Sequence, residues 1–263
     1  MRILMSRPIH FEIAYEINPW MKIENQAKER RALNQWQKLY DHYLYLGLKI
    51  ELIDQPKGLP DFVFTANGGL VMGKKAILPN FRPKERQPET THFKNWFDEH
   101  GYETLSVKNH FEGEGDALFF GNLLCLGYGQ RTSIESHIEV GNLLGVKTLS
   151  LELIDPRFYH LDTCFAPLGD IVMYFPEAFS RASCESIEKL APPEKRIVLS
   201  FKEAEDFAAN CMLIDDIVVS SCALKTFEHK LMKVGLESDP FELNEFMKAG
   251  GSAKCLTLKL NNP

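Results

Sequence analysis

Five times along this chain the same pattern returns, and that periodicity limits the possible architecture more than any other feature. A polar residue is followed by an alternating hairpin pattern: "NGGLVMGKKAIL" from Asn67, "DALFFGNLLCLG" from Asp116, "DTCFAPLGDIVMY" from Asp162, "NCMLIDDIVVS" from Asn210 and "CLTLKL" from Cys255. The steps between these residues are 49, 46, 48 and 45 positions. Between hairpins run helix-like stretches that stop at Gly47, Gly101, Gly145 and Gly235, and one unit uses Pro192-Pro193 instead. A glycine just past a helix supplies the left-handed residue that ends it. Each stop leads into a short apolar strand pattern, so the repeat is one β/α unit that must stack on its neighbours to bury its apolar face. The expectation is an α/β fold of five such units in a single domain over residues 1–263. The N-terminal strand "RILM" completes the fifth unit. Sheets arranged radially leave no long unprotected edge and create a central axis.

Within this frame the first helix shows an apolar stripe at Leu33, Trp36, Tyr40, Tyr43 and Leu44, expected to face the core. "FVFTANGG" (62–69) reads as a strand ending in an Asn-Gly turn. The five quasi-equivalent polar residues should point to one central place. They are two amides, Asn67 and Asn210, two carboxylates, Asp116 and Asp162, and the thiol of Cys255. Convergent polar groups in a concave centre are what a small-molecule site requires.

That set supports a definite chemistry. In "YHLDT" an extended backbone would put His160 and Asp162 on one face. Imidazole is the general acid/base that titrates nearest neutrality. Cys255, in "GGSAKCLTL", follows two glycines that give its backbone room, and a nearby cation would favour its thiolate. Thiol, imidazole and two carboxylates suit nucleophilic attack on a cationic carbon. "FEGEGDALF" crowds Glu112, Glu114 and Asp116; without a His or Cys in register, a divalent-metal site is the weaker reading and no metal is expected. Arg86 and Arg131 sit in polar loops as candidates for clamping a substrate α-carboxylate with their planar forks. Segment 80–91, which carries Arg86, reads as a lid.

Composition removes several function classes. With a net charge of −6 the chain has no broad basic surface for nucleic acid, and Lys28-Glu29-Arg30-Arg31 carries its own acid. No apolar run reaches the ~18 residues of a membrane span, and "MRILMSRPIH" lacks the apolar core of a secretion signal. The six cysteines follow no metal or disulfide spacing. A cytoplasmic protein with reduced thiols is expected. Oligomeric state, homo-oligomers included, is not set by the sequence.

Taken in order, "YEINPWM", "FVFTANGG", "FRPKERQ", "FEGEGDALF", "YHLDTCF" and "GGSAKCLTL" resemble the guanidino-group-modifying enzymes, the pentein superfamily, over essentially the whole chain. The resemblance implies a five-bladed ββαβ propeller. It also implies Cys255 as nucleophile, His160 as general acid/base, Glu112 as the acid orienting the histidine, and Asp116 and Asp162 as carboxylates at the guanidinium. The implied intermediate is a thiouronium adduct of Cys255, and no cofactor is needed. Asn67 stands where deiminases keep an aspartate, and an amide tolerates a neutral ureido group better. With "YEINPWM", where Asn18 would touch substrate, this is similar to the arginine dihydrolase branch, which converts arginine to ornithine, ammonia and carbon dioxide. The alternatives are an arginine deiminase or dimethylarginine dimethylaminohydrolase giving citrulline, an amidinotransferase, or a non-catalytic pentein that binds a partner. Glu114 departs from that branch and is expected as an added acid near the guanidinium, and Lys254, just before the thiol, is a variable position.

Overall fold

The structure is a computed structural model and describes residues 1–262. It contains five three-stranded sheets, each built the same way. In one, Leu70–Met72 turns back on Lys75–Ile77, helix Glu89–Glu99 follows, and Glu103–Leu105 returns parallel to Lys75–Ile77. The next three repeat this ββαβ order from Ala117, Phe165 and Met212. The last joins the chain ends: Leu258–Lys259 pairs antiparallel with Arg2–Ser6, which pairs parallel with Lys49–Ile53 across helix Glu29–Tyr45. This is the five-bladed α/β propeller expected from the repeat.

The glycine stops are where the periodicity placed them. Gly47, Gly101, Gly145 and Gly235 have φ of +80°, +73°, +69° and +81°. Side chains other than glycine rarely adopt this region. Open space surrounds all four, so the backbone angle alone demands glycine.

Two local expectations are corrected. The first helix buries Ala32, Trp36, Leu39 and Tyr43, so its inner stripe is rotated: Leu33 and Tyr40 are half-buried and Leu44 is exposed. Tyr40 instead stacks on Trp36, with centroids 5.1 Å apart. "FVFTANGG" is not a strand. Pro60–Val63 and Thr65–Gly68 form two 3₁₀ turns, and the blade's first strand starts only at Leu70. Residues 62–69 are all buried, and a short apolar run enclosed on every side has no exposed face to impose period-two alternation. The corresponding residues before the next two blades are also in 3₁₀ turns, Gly113–Gly115 and Leu161–Thr163. His160 and Asp162 therefore do not share a strand face.

Candidate active site

The five quasi-equivalent residues Asn67, Asp116, Asp162, Asn210 and Cys255 are all buried. They separate into two clusters. In the first, Cys255 Sγ donates to Asp162 Oδ2 at 3.2 Å and accepts from Asn210 Nδ2 at 3.0 Å. Asn210 Oδ1 accepts the backbone N–H groups of Ser252 and Cys255 at 2.9 and 3.1 Å. Asn210 is thus spent on holding the loop that carries the thiol, which corrects its expected place as a substrate contact. Gly251 matters for the same reason: a Cβ there would lie 2.4 Å from the Phe64 ring.

In the second cluster, His160 Nε2 lies 2.7 Å from Glu112 Oε2. Because a carboxylate accepts, Nε2 carries the proton, and Nδ1 faces Gly115. Arg131 Nη1 donates to the same Glu112 oxygen at 3.1 Å, and Arg82 N donates to Oε1 at 3.1 Å. Asn67 bridges the turns: Nδ2 donates to the Glu112 carbonyl at 3.0 Å, and Oδ1 accepts from Arg86 Nη1 at 2.8 Å. A carboxylate at position 67 could accept from Arg86 but would meet the Glu112 carbonyl oxygen with nothing to donate. The amide is required here.

Several expected substrate contacts are instead committed to the protein. Arg86 forks onto Glu89 (Nε–Oε1 2.9 Å, Nη2–Oε2 2.8 Å) and is buried, so segment 80–91 anchors inward and is not a free lid. Asn18 makes a local turn, accepting from Trp20 N at 2.9 Å and donating to the Ala249 carbonyl at 3.0 Å. Asp116 accepts from Leu161 N at 3.0 Å and Thr132 Oγ1 at 2.6 Å, fixing the turn between His160 and Asp162. Arg131 also donates to the Ile17 carbonyl at 2.8 Å and lies 4.8 Å over the Tyr159 ring, but it keeps unused N–H groups.

The three acids of "EGEGD" diverge. Glu112 faces His160, Asp116 faces Thr132, and Glu114 meets Lys254 Nζ at 2.7 Å, Lys259 N at 3.0 Å and Asn262 Nδ2 at 2.6 Å. Glu114 is thus paired with Lys254 while its charge is still felt at Asp162. Among the described residues no three His, Cys, Asp or Glu side chains converge as a metal would need.

The electrostatics of the two clusters differ. Burial works against ionising Glu112, but Arg131, the His160 contact and Arg86 outweigh it and hold the carboxyl well below its usual range. Burial pushes Asp116 up to about 6 and Asp162 up to about 7, the latter against Lys254, Cys255 and Asn210. Burial, the Asp162 charge and the hydrogen bond to it push the Cys255 thiol well above its ordinary value. A cation placed against Asp162 would reverse this field at the sulfur.

Asp61 was missed in the sequence. It is buried beside Arg86 and Arg131 with the Tyr15 hydroxyl near its carboxylate, while Asp162 Oδ1 has no hydrogen-bond partner. An acid inside the apolar run "LPDFVF" was the only signal. Tyr159, also missed, is buried, donates to the Gly250 carbonyl at 2.9 Å, and feels the charges of Arg131, Asp61 and Asp162.

Gly115 gives a test of this arrangement. An added Cβ would lie 2.2 Å from Asn67 Nδ2 and 3.3 Å from His160 Nδ1. Overpacking of this kind costs about 1–3 kcal/mol. Gly115→Ala is expected to lower kcat/KM by about 10-fold or more, each decade being about 1.4 kcal/mol. Steady-state kinetics beside thermal unfolding checks this, and an unchanged kcat/KM would mean that Asn67 and His160 do not act at the reacting centre.

Five ββαβ blades around a buried thiol, imidazole and carboxylates define a guanidino-group-modifying enzyme of the pentein class. The chain belongs to the dimethylarginine dimethylaminohydrolase family: the family model described as "N,N dimethylarginine dimethylhydrolase, eukaryotic" matches residues 9–261. It is 43% identical over 268 residues to the bifunctional arginine dihydrolase/ornithine cyclodeaminase ArgZ of Synechocystis sp., covering 100% of this chain and 38% of that protein. It is 39% identical to the N(G),N(G)-dimethylarginine dimethylaminohydrolase of Mycobacterium tuberculosis, covering 99% of this chain and 86% of that one. Among solved structures, the N-terminal domain of ArgZ, a cysteine-to-serine mutant bound to substrate, superposes with a TM-score of 0.96. That match has 43% identity and covers 100% of this chain and 98% of that domain.

Proposed function

We propose that this chain is a single catalytic domain that hydrolyses arginine to ornithine, two ammonia and carbon dioxide, with Cys255 as nucleophile. The observation that carries the reading is the Cys255–Asp162–Asn210 contact, set in a fold shared with a substrate-bound arginine dihydrolase domain. The guanidinium lies against the unpartnered Oδ1 of Asp162, and the substrate ammonium against the Asp61 carboxylate. Arg131, with donors to spare, takes the carboxylate, while Arg86 braces Asn67 and Glu89. The cation favours the thiolate, which attacks the guanidinium carbon to give a thiouronium adduct. His160, held by Glu112 through Nε2, takes the thiol proton on Nδ1, passes it to the departing amine and then takes a proton from water. In a second passage Cys255 attacks the carbon of the neutral ureido group, ornithine leaves with a proton from His160, and water releases the thiocarbamate as carbamate, which breaks down to ammonia and carbon dioxide. Asn67 suits that neutral group because no third carboxylate faces it. The protein works in the cytoplasm on this small substrate without a cofactor.

A second reading, hydrolysis of dimethylarginine to citrulline and dimethylamine, is favoured by the family model and the mycobacterial relative. Amino-acid and ammonia analysis after incubation with each substrate separates the two. Ornithine with two ammonia per arginine is expected. Citrulline as the final product from arginine would leave Asn67 without its second step, and turnover of dimethylarginine alone would replace the first reading with the second.

A further inference from the structure

Glu114 and Lys254, far apart in the sequence, are one feature in the structure. Separated by 140 positions, they form a buried ion pair, Nζ to Oε2 2.7 Å, with neither side chain more than 4% exposed. Lys254 also donates to the Thr257 carbonyl at 3.0 Å. Its neighbour in the chain is the thiol residue, and that thiol contacts Asp162. The ammonium is thus carried by the same tight turn as Cys255 and is fixed at two points. Glu114 is fixed in turn by Lys259 N and Asn262 Nδ2, so its charge cannot move to follow the reaction.

Burying both charges has a desolvation cost that the pairing does not fully repay, so an ion pair in this position is weak evidence for stability alone. We propose that the Lys254–Glu114 pair is a positioning device for the reaction centre: a fixed internal dipole, ammonium end toward Asp162, that keeps this carboxylate charged against the thiol. The inference rests on the role given above to Cys255 and Asp162.

The Lys259 ammonium, beside Glu114 and Lys254, is one cation of this network, and Lys254 is the cation that acts most on Asp162. Cys255 and Asn210 contact it directly, and Tyr159, Cys164 and Cys211 feel its charge as neutral or anionic partners. Asp116, held by Thr132 and Leu161, also acts on Cys164. Lys254 acts on Asp162 in the direction of ionisation, and Glu114 acts more weakly the other way. His160 stands two residues back in the chain and is already paired with Glu112.

The test is the acid limb of kcat/KM against pH, which reports ionisation of the free enzyme's essential groups. Glu114→Gln leaves the ammonium unbalanced, so the limb is expected to move to lower pH. Lys254→Met removes the ammonium, so the limb moves to higher pH, whether or not the orphaned Glu114 takes up a proton. A displacement of about half a unit or more, roughly threefold in rate on the limb, is expected each way. A purely structural role would lower activity in both variants without opposite displacements, and that result overturns the proposal. The double variant Glu114→Gln/Lys254→Met removes both charges of the pair, leaving the Lys259 ammonium in place, and serves where a single variant fails to fold. Its limb must lie above that of the unsubstituted protein. The pH dependence of chloroacetamidine alkylation, read by peptide mass at Cys255, gives the same comparison without turnover. Labelling that does not select Cys255 would overturn the site reading itself, whereas selective labelling with an unmoved limb overturns only the ion-pair proposal.

Discussion

Cys255→Ser is expected to abolish turnover, with a loss on the order of 10⁴-fold or more, while leaving the fold intact. The side chain is buried and well packed, and serine keeps the same shape, so the Asp162 and Asn210 contacts survive with an oxygen in place of sulfur. What is lost is the nucleophile: a hydroxyl held by a carboxylate has no route to an oxyanion that a guanidinium could favour enough. The thiol is itself pushed well above its ordinary value in this site, so its reactivity depends on the cation that arrives beside Asp162. Chloroacetamidine, a cation bearing an electrophile, should therefore label Cys255 far faster than neutral chloroacetamide does. The other five cysteines have no such carboxylate contact, and Cys125→Ser should change little. Equal labelling of all six thiols, or a fully active Cys255→Ser protein, would remove the mechanism.

Glu112→Gln should cost both stability and activity. The carboxylate is buried and takes charge-assisted hydrogen bonds from Arg131 and His160, so neutralising it leaves the Arg131 guanidinium buried with a poorer partner. Breaking one side of a buried pair typically costs about 3–5 kcal/mol. The imidazole also loses the group that fixes its proton on Nε2, and general acid–base catalysis of the kind assigned to it is worth about 10²–10⁴-fold. The pH sign follows from the direction of the shift. Glu112 ionises more readily in the folded than in the unfolded protein, against an ordinary value of 4.5. Its contribution is therefore complete above that value and fades as the pH falls through the depressed folded-state range. Denaturant unfolding of both proteins should show a large stability gap at pH 7 that narrows steadily below pH 4.5. A gap that stayed constant with pH would mean that the charge of Glu112 is not what stabilises the fold.

Much of this architecture was legible because it repeats. A hairpin, a helix and a glycine stop recurring at near-constant spacing leave few ways to bury five apolar faces, and the four positive-φ glycines stand at the predicted helix ends. The same spacing singled out the five residues that converge on the axis. The errors fell where no local pattern exists. Residues 62–69 and 160–163 are enclosed on all sides and form 3₁₀ turns, so neither alternation nor helical spacing marked them. Asp61 was overlooked because a single acid in an apolar run has no periodicity at all.

Electrostatic partnership was equally hidden. Arg86 and Arg131 read as free forks in polar loops, yet one is spent on Glu89 and the other shares Glu112 with His160. Glu114 read as a departure and Lys254 as an unrelated variable position, and they prove to be one ion pair. By itself the sequence determined the blade, its five-fold repetition, and which residue types reach the centre, because those follow from short-range backbone preferences and apolar periodicity. Only the tertiary structure decided which centre-facing groups pair with each other and which acceptors are left for a substrate. Some of those partners are near in sequence, as Arg86 and Glu89 are, but the pairings of Cys255 with Asn210 and of Lys254 with Glu114 join groups 45 and 140 residues apart that closure of the ring brings together.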